Sequence, residues 1–144
     1  MIPESMLEIR TYAGDGYMPL VDFKSWRVAL MNFSENFRPE RIHILERHPE
    51  TDEVFVLLRG QVLMILAEGD GDVQKLHFQV MEEGTLYNVK PTCWHAVVMS
   101  REAVLLIVEN ADTSDANSQF TTLSPDLCRE IVETARKAQP GNWE

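Results

Sequence analysis

The sequence predicts an all-β fold, a closed sandwich or barrel of short strands, followed by one C-terminal helix. Between about residues 40 and 110, apolar or alternating runs are separated by clusters of Gly, Asp, Glu and Pro, and no run keeps a helical period. The connections are short, as at Arg59-Gly60, which forms a tight turn between two apolar runs. Hairpins at this spacing are typical of sandwiches and barrels.

The individual strands follow from alternation and from enrichment in β-branched and aromatic residues. Strands are predicted at 7–12, 26–33, 41–47, 53–58, 61–67, 74–81, 85–89, 94–99 and 103–109. The barrel core is expected at about 26–110. The whole chain, 1–144, is expected to form a single domain, because 144 residues is the usual size of one hydrophobic core.

The C-terminal helix is predicted from its start signal and its period. A polar loop at 112–119 precedes Ser124-Pro125-Asp126, which supplies an N-cap, a proline in the first turn and an early acid. Apolar residues then recur at helical spacing until Pro140-Gly141, so the helix is expected at about 125–139. We expect it to pack on the outside of the barrel or on a partner subunit.

Composition and charge exclude several classes of protein. The 13 Lys and Arg against 23 Asp and Glu give a net charge of -10, which argues against nucleic acid and anionic membrane surfaces as partners. The longest apolar runs have six residues, far fewer than the ~20 that span a bilayer. No secretory signal is recognisable, so the expected location is the cytoplasm, where Cys93 and Cys128 would be free thiols.

Side chains of the types that bind metals concentrate where two predicted strands meet, in the stretch LERHPETDEVFVLLRG. Alternation places Glu46 and His48 on one face of their strand, and Glu53 on a face of the next strand that also carries apolar residues. His95 lies on a later strand, on the face shared with Val97. If these faces point inward, the four side chains converge near the mouth of a barrel.

Two imidazoles and two carboxylates form a suitable ligand set for a divalent first-row metal with open positions. The same set can act without a metal as a general acid and base, and the residues leave both alternatives open. They also leave open a simpler interpretation, in which the acids are solvated and His95 is a hydrogen-bonded core residue. His43 and His77 are set aside, because His43 falls on the face opposite His48 and His77 has no clustered partner.

The same residues resemble the two short motifs of the cupins, which are small β-barrels. The spacing of the first motif is kept by Glu46, His48, Glu53 and Gly60, and that of the second by Gly84 and His95. Glu46 stands where the first motif has a His, and Thr92 stands where the second has a Gly. The resemblance covers roughly residues 40–110 and implies the cupin double-stranded β-helix, a jelly-roll barrel.

Within the cupins, the LERHP run and the Trp94-His95 pair resemble ureidoglycolate lyase, an enzyme of purine and allantoin breakdown that releases urea from ureidoglycolate and leaves glyoxylate. The resemblance implies that His48 and His95 are catalytic. A substrate carboxylate would need a cation, which Lys90, Arg47 or Arg27 could supply. Alternation puts Arg47 on the outer face, and Lys90 is preferred. The resemblance also implies that Glu46 and Glu53 either orient the histidines or join them as ligands of a divalent metal (Zn, Mn, Fe or Ni).

The expected partners are a small polar or carboxylated molecule in the barrel and a second copy of the chain in a homodimer, since two-fold dimers are the commonest assembly. The alternative to an enzyme is a non-catalytic cupin that binds or senses a small ligand.

Overall fold

Two antiparallel sheets account for most of the computed structural model, which describes residues 1–139, 141 and 143. The strands are β1 Gly16–Phe23, β2 Trp26–Asn32, β3 Ile44–Arg47, β4 Glu53–Arg59, β5 Val62–Ala67, β6 His77–Val80, β7 Leu86–Val89, β8 Trp94–Met99, β9 Val104–Asn110 and β10 Gln119–Thr122. The first sheet has the order β1-β2-β9-β4-β7 and the second has the order β10-β3-β8-β5-β6.

The two sheets face each other across one apolar core. In β4 the buried residues alternate, with Glu53, Phe55 and Leu57 pointing inward, as the sequence predicts. Val97 and Met99 reach the same core from the second sheet. Within the described residues, no strand pairing joins the edges of the two sheets. The expected closed barrel is therefore seen only in part, as a two-sheet sandwich.

A single helix, α1 Pro125–Ala138, covers the outer face of the second sheet. Ser124 caps it as predicted, because its hydroxyl accepts a hydrogen bond from the Leu127 amide at 3.3 Å. Ile131 and Ala135 are fully buried against this face. Pro140, predicted to help end the helix, lies outside the described residues. No helix in the described part of the chain is long and apolar enough to cross a membrane.

Both ends of the strand pattern differ from the prediction. The strand expected at 7–12 is absent, because the apolar side chains there find no sheet edge to pair with and stay exposed. Instead, β1 and β10 add an edge strand to each sheet, outside the expected core of 26–110. The strand expected from residue 41 begins only at Ile44, since the 3₁₀ turn Pro39–Arg41 precedes it. Cys93 and Cys128 are free, as expected.

Candidate functional site

A cavity of about 490 Å³ opens between the two sheets at one end of the sandwich. Its floor is apolar and includes Met31, Phe55, Val97 and Ile107. Its wall carries the polar residues Tyr17, Asn36, Arg41, His43, Glu46, His48, Glu53, His95, Glu109, Thr113, Ser114, Asp115 and Ser118. The four residues predicted from the sequence to converge, Glu46, His48, Glu53 and His95, all lie in this wall.

Strand pairing determines how these side chains meet. Glu46 and His95 are register partners across β3 and β8, and Glu53 is the first residue of β4. The Oε2 atom of Glu53 lies 3.1 Å from Nε2 of His48 and 2.9 Å from Nε2 of His95. Oε1 of Glu46 lies 4.0 Å and 3.9 Å from the same two nitrogens. Two imidazole nitrogens thus point at one carboxylate oxygen, with a second carboxylate nearby.

The hydrogen bonds behind the rings fix the tautomer of both histidines. Nδ1 of His95 lies 3.0 Å from the carbonyl oxygen of Cys93, which can only accept, so this nitrogen carries the proton. Nδ1 of His48 lies 2.8 Å from the hydroxyl of Ser118, whose own proton goes to the carbonyl of Ser114 at 2.6 Å. His48 must therefore donate as well. In their neutral forms both rings direct an Nε2 lone pair toward Glu53.

Such an arrangement requires positive charge between the rings and the carboxylate. Burial alone would raise the pKa of Glu53, but the two imidazoles outweigh it and lower this pKa to about 2. Burial would lower the pKa of His48 and of His95, and contact with the Glu53 carboxylate outweighs it and raises both. Loss of solvation raises the pKa of Glu46, and the charge of Glu53 adds to the effect. Either protonation of the imidazoles or a bound cation supplies the positive charge that this arrangement requires.

The donor set fits a divalent metal. Oε2 of Glu53 and Nε2 of His95 are buried without a hydrogen bond of acceptable geometry, although they lie so close together. Neighbouring donors in a tetrahedral zinc site are about 3.3 Å apart. This separation lies between the 2.9 Å from Glu53 to His95 and the 4.0 Å from Glu46 to His48. Donor atoms of Glu46, His48 and His95 lie within 4.8 Å of one another, and so do those of His48, Glu53 and Glu109.

Among the polar cavity residues that were not predicted, Glu109 and Tyr17 are hydrogen-bonded to each other. Glu109 is the last residue but one of β9, where it is buried, and it accepts a 2.5 Å hydrogen bond from the hydroxyl of Tyr17 in β1. Burial and the Glu53 charge raise the pKa of Glu109, and burial and the Glu109 contact raise that of Tyr17. Alternation along β9, with Leu105 and Ile107 also facing inward, is the signal that identifies Glu109. No comparable signal exists for Tyr17, because its strand contains Pro19.

The cation predicted for a substrate carboxylate does not lie at the cavity. The ammonium of Lys90 is exposed and lies 3.2 Å from the carboxylate of Asp52, on a different part of the surface. Arg41 does line the cavity, and its side chain forms no ion pair or hydrogen bond with another described residue. Arg47 points to the outer face, as expected, with its guanidinium 4.3 Å from the centre of the Trp94 ring.

The two histidines set aside have different positions. His77 is exposed on β6 and has no contact with the site. His43 lines the cavity, since it precedes the first residue of β3 and the alternation of that strand does not extend to it. Its Nδ1 lies 2.7 Å from the carbonyl oxygen of Arg41.

Comparison with known proteins identifies the family to which this geometry belongs. The family model described as ureidoglycolate lyase matches residues 15–128 of the chain, which include the four converging residues and also Tyr17 and Glu109. A search of curated proteins finds no match.

Solved structures of low sequence identity share the fold. The Streptomyces nucleoside dehydratase Pac13, solved with uridine, is 11% identical with a TM-score of 0.54, and the match covers 78% of this chain and 84% of that one. The QdtA 3,4-ketoisomerase from Thermoanaerobacterium thermosaccharolyticum, in complex with TDP, is 15% identical with a TM-score of 0.52, covering 83% and 78%. KdgF from Halomonas sp. is 10% identical with a TM-score of 0.51, covering 69% and 81%. These are cupin folds, so the likeness shows a cupin architecture.

Proposed function

The chain belongs to the ureidoglycolate lyase family of cupins, and from this premise we propose that it is a lyase that cleaves a small carboxylated carbinolamine of the ureidoglycolate type. The observation that carries the proposal is the convergence of the His48 and His95 Nε2 atoms on one oxygen of Glu53, inside a cavity large enough for such a molecule. Buried acid–base groups with shifted pKa values in a concave site are typical of catalytic centres.

The reaction needs two proton transfers. A base takes the proton from the carbinolamine hydroxyl, the bond from carbon to the urea nitrogen breaks as the carbonyl of glyoxylate forms, and an acid gives a proton to the leaving nitrogen. His48 and His95 are assigned these two roles. The Glu53 oxygen lies within 3.1 Å of both Nε2 atoms, so it can hold each imidazolium in turn and can pass the proton from one ring to the other.

The site also fits a divalent metal, which Glu46, His48, Glu53 and His95 would hold and which would polarise the substrate hydroxyl. This role agrees with the tautomers, because Nδ1–H on each ring leaves Nε2 as the ligand atom. Ser118 and the Cys93 carbonyl then serve as the outer partners that orient the two imidazoles. Metal analysis of the purified and the reconstituted protein tests this part of the proposal, and metal far below one equivalent in both samples contradicts it.

The substrate carboxylate needs a local cation, because the protein carries a net charge of -10 and the cavity wall contains Glu46, Glu53 and Glu109. We assign this role to Arg41, which lines the cavity and whose planar guanidinium matches a carboxylate. The assignment replaces Lys90, which is paired with Asp52 away from the cavity.

Glyoxylate release from ureidoglycolate, followed by reduction of the product with a coupled dehydrogenase, tests the lyase activity. We expect His48→Ala and His95→Ala each to lower kcat by about 100-fold or more, since a positioned acid or base contributes that much. His77→Ala is the matched control, because His77 is exposed outside the site. No activity above background in the wild type, or activity that survives both cavity substitutions, contradicts the proposal.

The same assay separates the two candidate cations. Arg41→Ala should raise KM by about 10-fold or more, as expected for a lost charged hydrogen bond. Lys90→Ala should leave KM unchanged. The reverse pattern would return the role to Lys90.

A non-catalytic ligand-binding cupin is the second candidate function, and it is favoured by the departures from the motif. Glu46 takes the place of a motif histidine, and much of the cavity floor is apolar. This candidate predicts a ligand that raises the melting temperature without being turned over.

A further inference from the structure

The cavity has more room than ureidoglycolate itself needs. Its volume of about 490 Å³ falls within the ~300–1,000 Å³ of pockets that hold drug-sized ligands. Ureidoglycolate is much smaller, since it consists of one glyoxylate unit joined to one urea. A molecule of that size, held at the four converging side chains, leaves much of the remaining wall in contact with water.

The remaining wall carries large apolar side chains that are open to solvent. Phe120 is 51% exposed and Ile44 is 43% exposed, and both line the cavity. Phe37 lines it as well and is half-buried. Apolar surface gains free energy when a ligand removes it from water, so these side chains favour a ligand with an apolar part.

Strand register connects this apolar wall to the reactive groups. Glu46 in β3 pairs with His95 in β8 on one side and with Phe120 in β10 on the other, so the three residues form one row across the inner face of the second sheet. Neighbouring strands are about 4.8 Å apart, which places the backbones of His95 and Phe120 roughly 10 Å apart along the row. Ile44 lies on the same face of β3 as Glu46, because it is two residues away.

The row ends on the open side of the sheet. β10 is an edge strand, and within the described residues no further strand pairs with it beyond Phe120. A ligand that reacts at His95 and extends along the row therefore first passes Glu46 and then meets the Phe120 ring. Beyond this ring the second sheet sets no limit on its length.

We propose that the substrate is an N-substituted relative of ureidoglycolate, in which the outer nitrogen of the urea carries an apolar group such as an aryl ring. The inference rests on the proposed lyase activity and specifies the substrate class. The carbinol carbon would lie at His48 and His95, and the substituent would lie against Phe120 and Ile44. An aryl ring suits this position, because aromatic pairs add stabilisation in offset or edge-to-face contact.

The substituent changes the leaving group and leaves the chemistry as it is. The carbinol hydroxyl gives its proton to the base, the carbonyl of glyoxylate forms, and the bond from carbon to the urea nitrogen breaks. The electron pair of that bond goes to the nitrogen, which takes a proton from the acid. The products are glyoxylate and the N-substituted urea, so the step needs no oxidant and no second substrate.

A comparison of two substrates tests the proposal. Ureidoglycolate and its N-phenyl derivative, prepared from glyoxylate and phenylurea, are assayed for glyoxylate release. The phenyl derivative should have a kcat/KM at least about 10-fold higher, since even small apolar groups in a hydrophobic pocket contribute about that much. Phenylurea, the expected product, should inhibit at a concentration at least about 10-fold lower than urea does.

Variants of the apolar wall show whether this preference arises where we place it. Phe120→Ala and Ile44→Ala should each lower the ratio of the two kcat/KM values by about 4-fold or more, which corresponds to one buried methylene. Phe23→Ala is the matched control and should leave the ratio unchanged, because Phe23 is 55% exposed on β1, packs on Trp26 and does not line the cavity. Circular dichroism shows whether each variant is folded, and Ile44→Ala keeps the test valid if Phe120→Ala is not.

The outcomes separate this proposal from the lyase assignment. Cleavage of ureidoglycolate without a preference for the phenyl derivative overturns the proposal and leaves the lyase activity standing. A preference that survives both Phe120→Ala and Ile44→Ala in folded proteins also overturns it. If neither compound is cleaved, the lyase assignment fails, and the substrate class that rests on it fails too.

Discussion

Ser118→Ala tests whether the orientation of His48 depends on a hydrogen bond from outside the ligand set. The Ser118 hydroxyl accepts from Nδ1 of His48 at 2.8 Å and donates to the Ser114 carbonyl at 2.6 Å. Alanine removes the acceptor, so the proton can move to Nε2 and the ring can turn. The lone pair that should face the metal or the substrate is then no longer held in place.

The magnitude follows from the lost bond. A hydrogen bond at a half-buried site contributes about 1 kcal/mol, and removing an outer partner of a metal-binding histidine lowers metal affinity or activity by about 10- to 100-fold. We therefore expect the Zn²⁺ affinity, measured by competition with a chromogenic chelator, and kcat/KM for glyoxylate release to fall by about 10-fold.

Ser100→Ala is the matched control for this prediction. It also removes a serine acceptor, which is bonded to the Gln61 amide at 2.9 Å, but it does so outside the cavity. Both variants should lose a similar amount of stability, and only Ser118→Ala should lose metal affinity. Equal metal affinity in the two variants would refute the role of Ser118 in orienting His48.

Three further predictions concern stability. In chelator-treated protein, Glu53 has a folded pKa of about 2 against 4.5 unfolded, so its contribution of up to about 3 kcal/mol is present above pH 4.5 and is lost as the pH falls toward 2. In urea unfolding, the free energy of unfolding of Glu53→Gln should fall less steeply below pH 4.5 than that of the wild type. The same steepness in both proteins would contradict this prediction. Thr92 has a φ of 68°, a left-handed conformation that strains a residue with a Cβ. Thr92→Gly should therefore stabilise the protein by about 1 kcal/mol, and a lower melting temperature in this variant would refute the argument. Gly60→Ala should lower the melting temperature more than Gly16→Ala does. Both glycines have a positive φ, but only at Gly60 would an added Cβ lie 2.5 Å from the Cα of Ala103. Equal losses of melting temperature in the two variants would contradict the clash at Gly60.

Alternation was sufficient to find most of the site from the sequence. Glu46, Glu53 and His95 belong to regular strands, where the period of two determines the face, and the fold brings them together as this period predicts. Glu109 obeys the same rule. It was overlooked because it ends the predicted strand 103–109, beside Asn110 and Asp112, where an acid is usually a solvated turn residue.

The parts that could not be predicted depend on long-range pairing. β1 contains Gly16, Pro19 and Asp22, a composition that does not favour a strand. It forms because it is an edge strand, where a proline needs no ladder partner, and its register shifts just after Pro19. The segment 7–12 has a sequence more typical of a strand, but it pairs with no strand at the edge of either sheet. The position of Lys90 away from the cavity could not be predicted for a similar reason, because spacing along the chain cannot show that Asp52 is its neighbour.

The loop between β9 and β10 connects two properties of this protein that are usually separate. Thr113, Ser114 and Asp115 form part of the cavity wall, and Ser118 holds His48. Any displacement of the loop that widens the entrance also withdraws the hydroxyl that fixes the imidazole. The shape of the cavity wall and the orientation of the His48 ring are therefore linked through one segment.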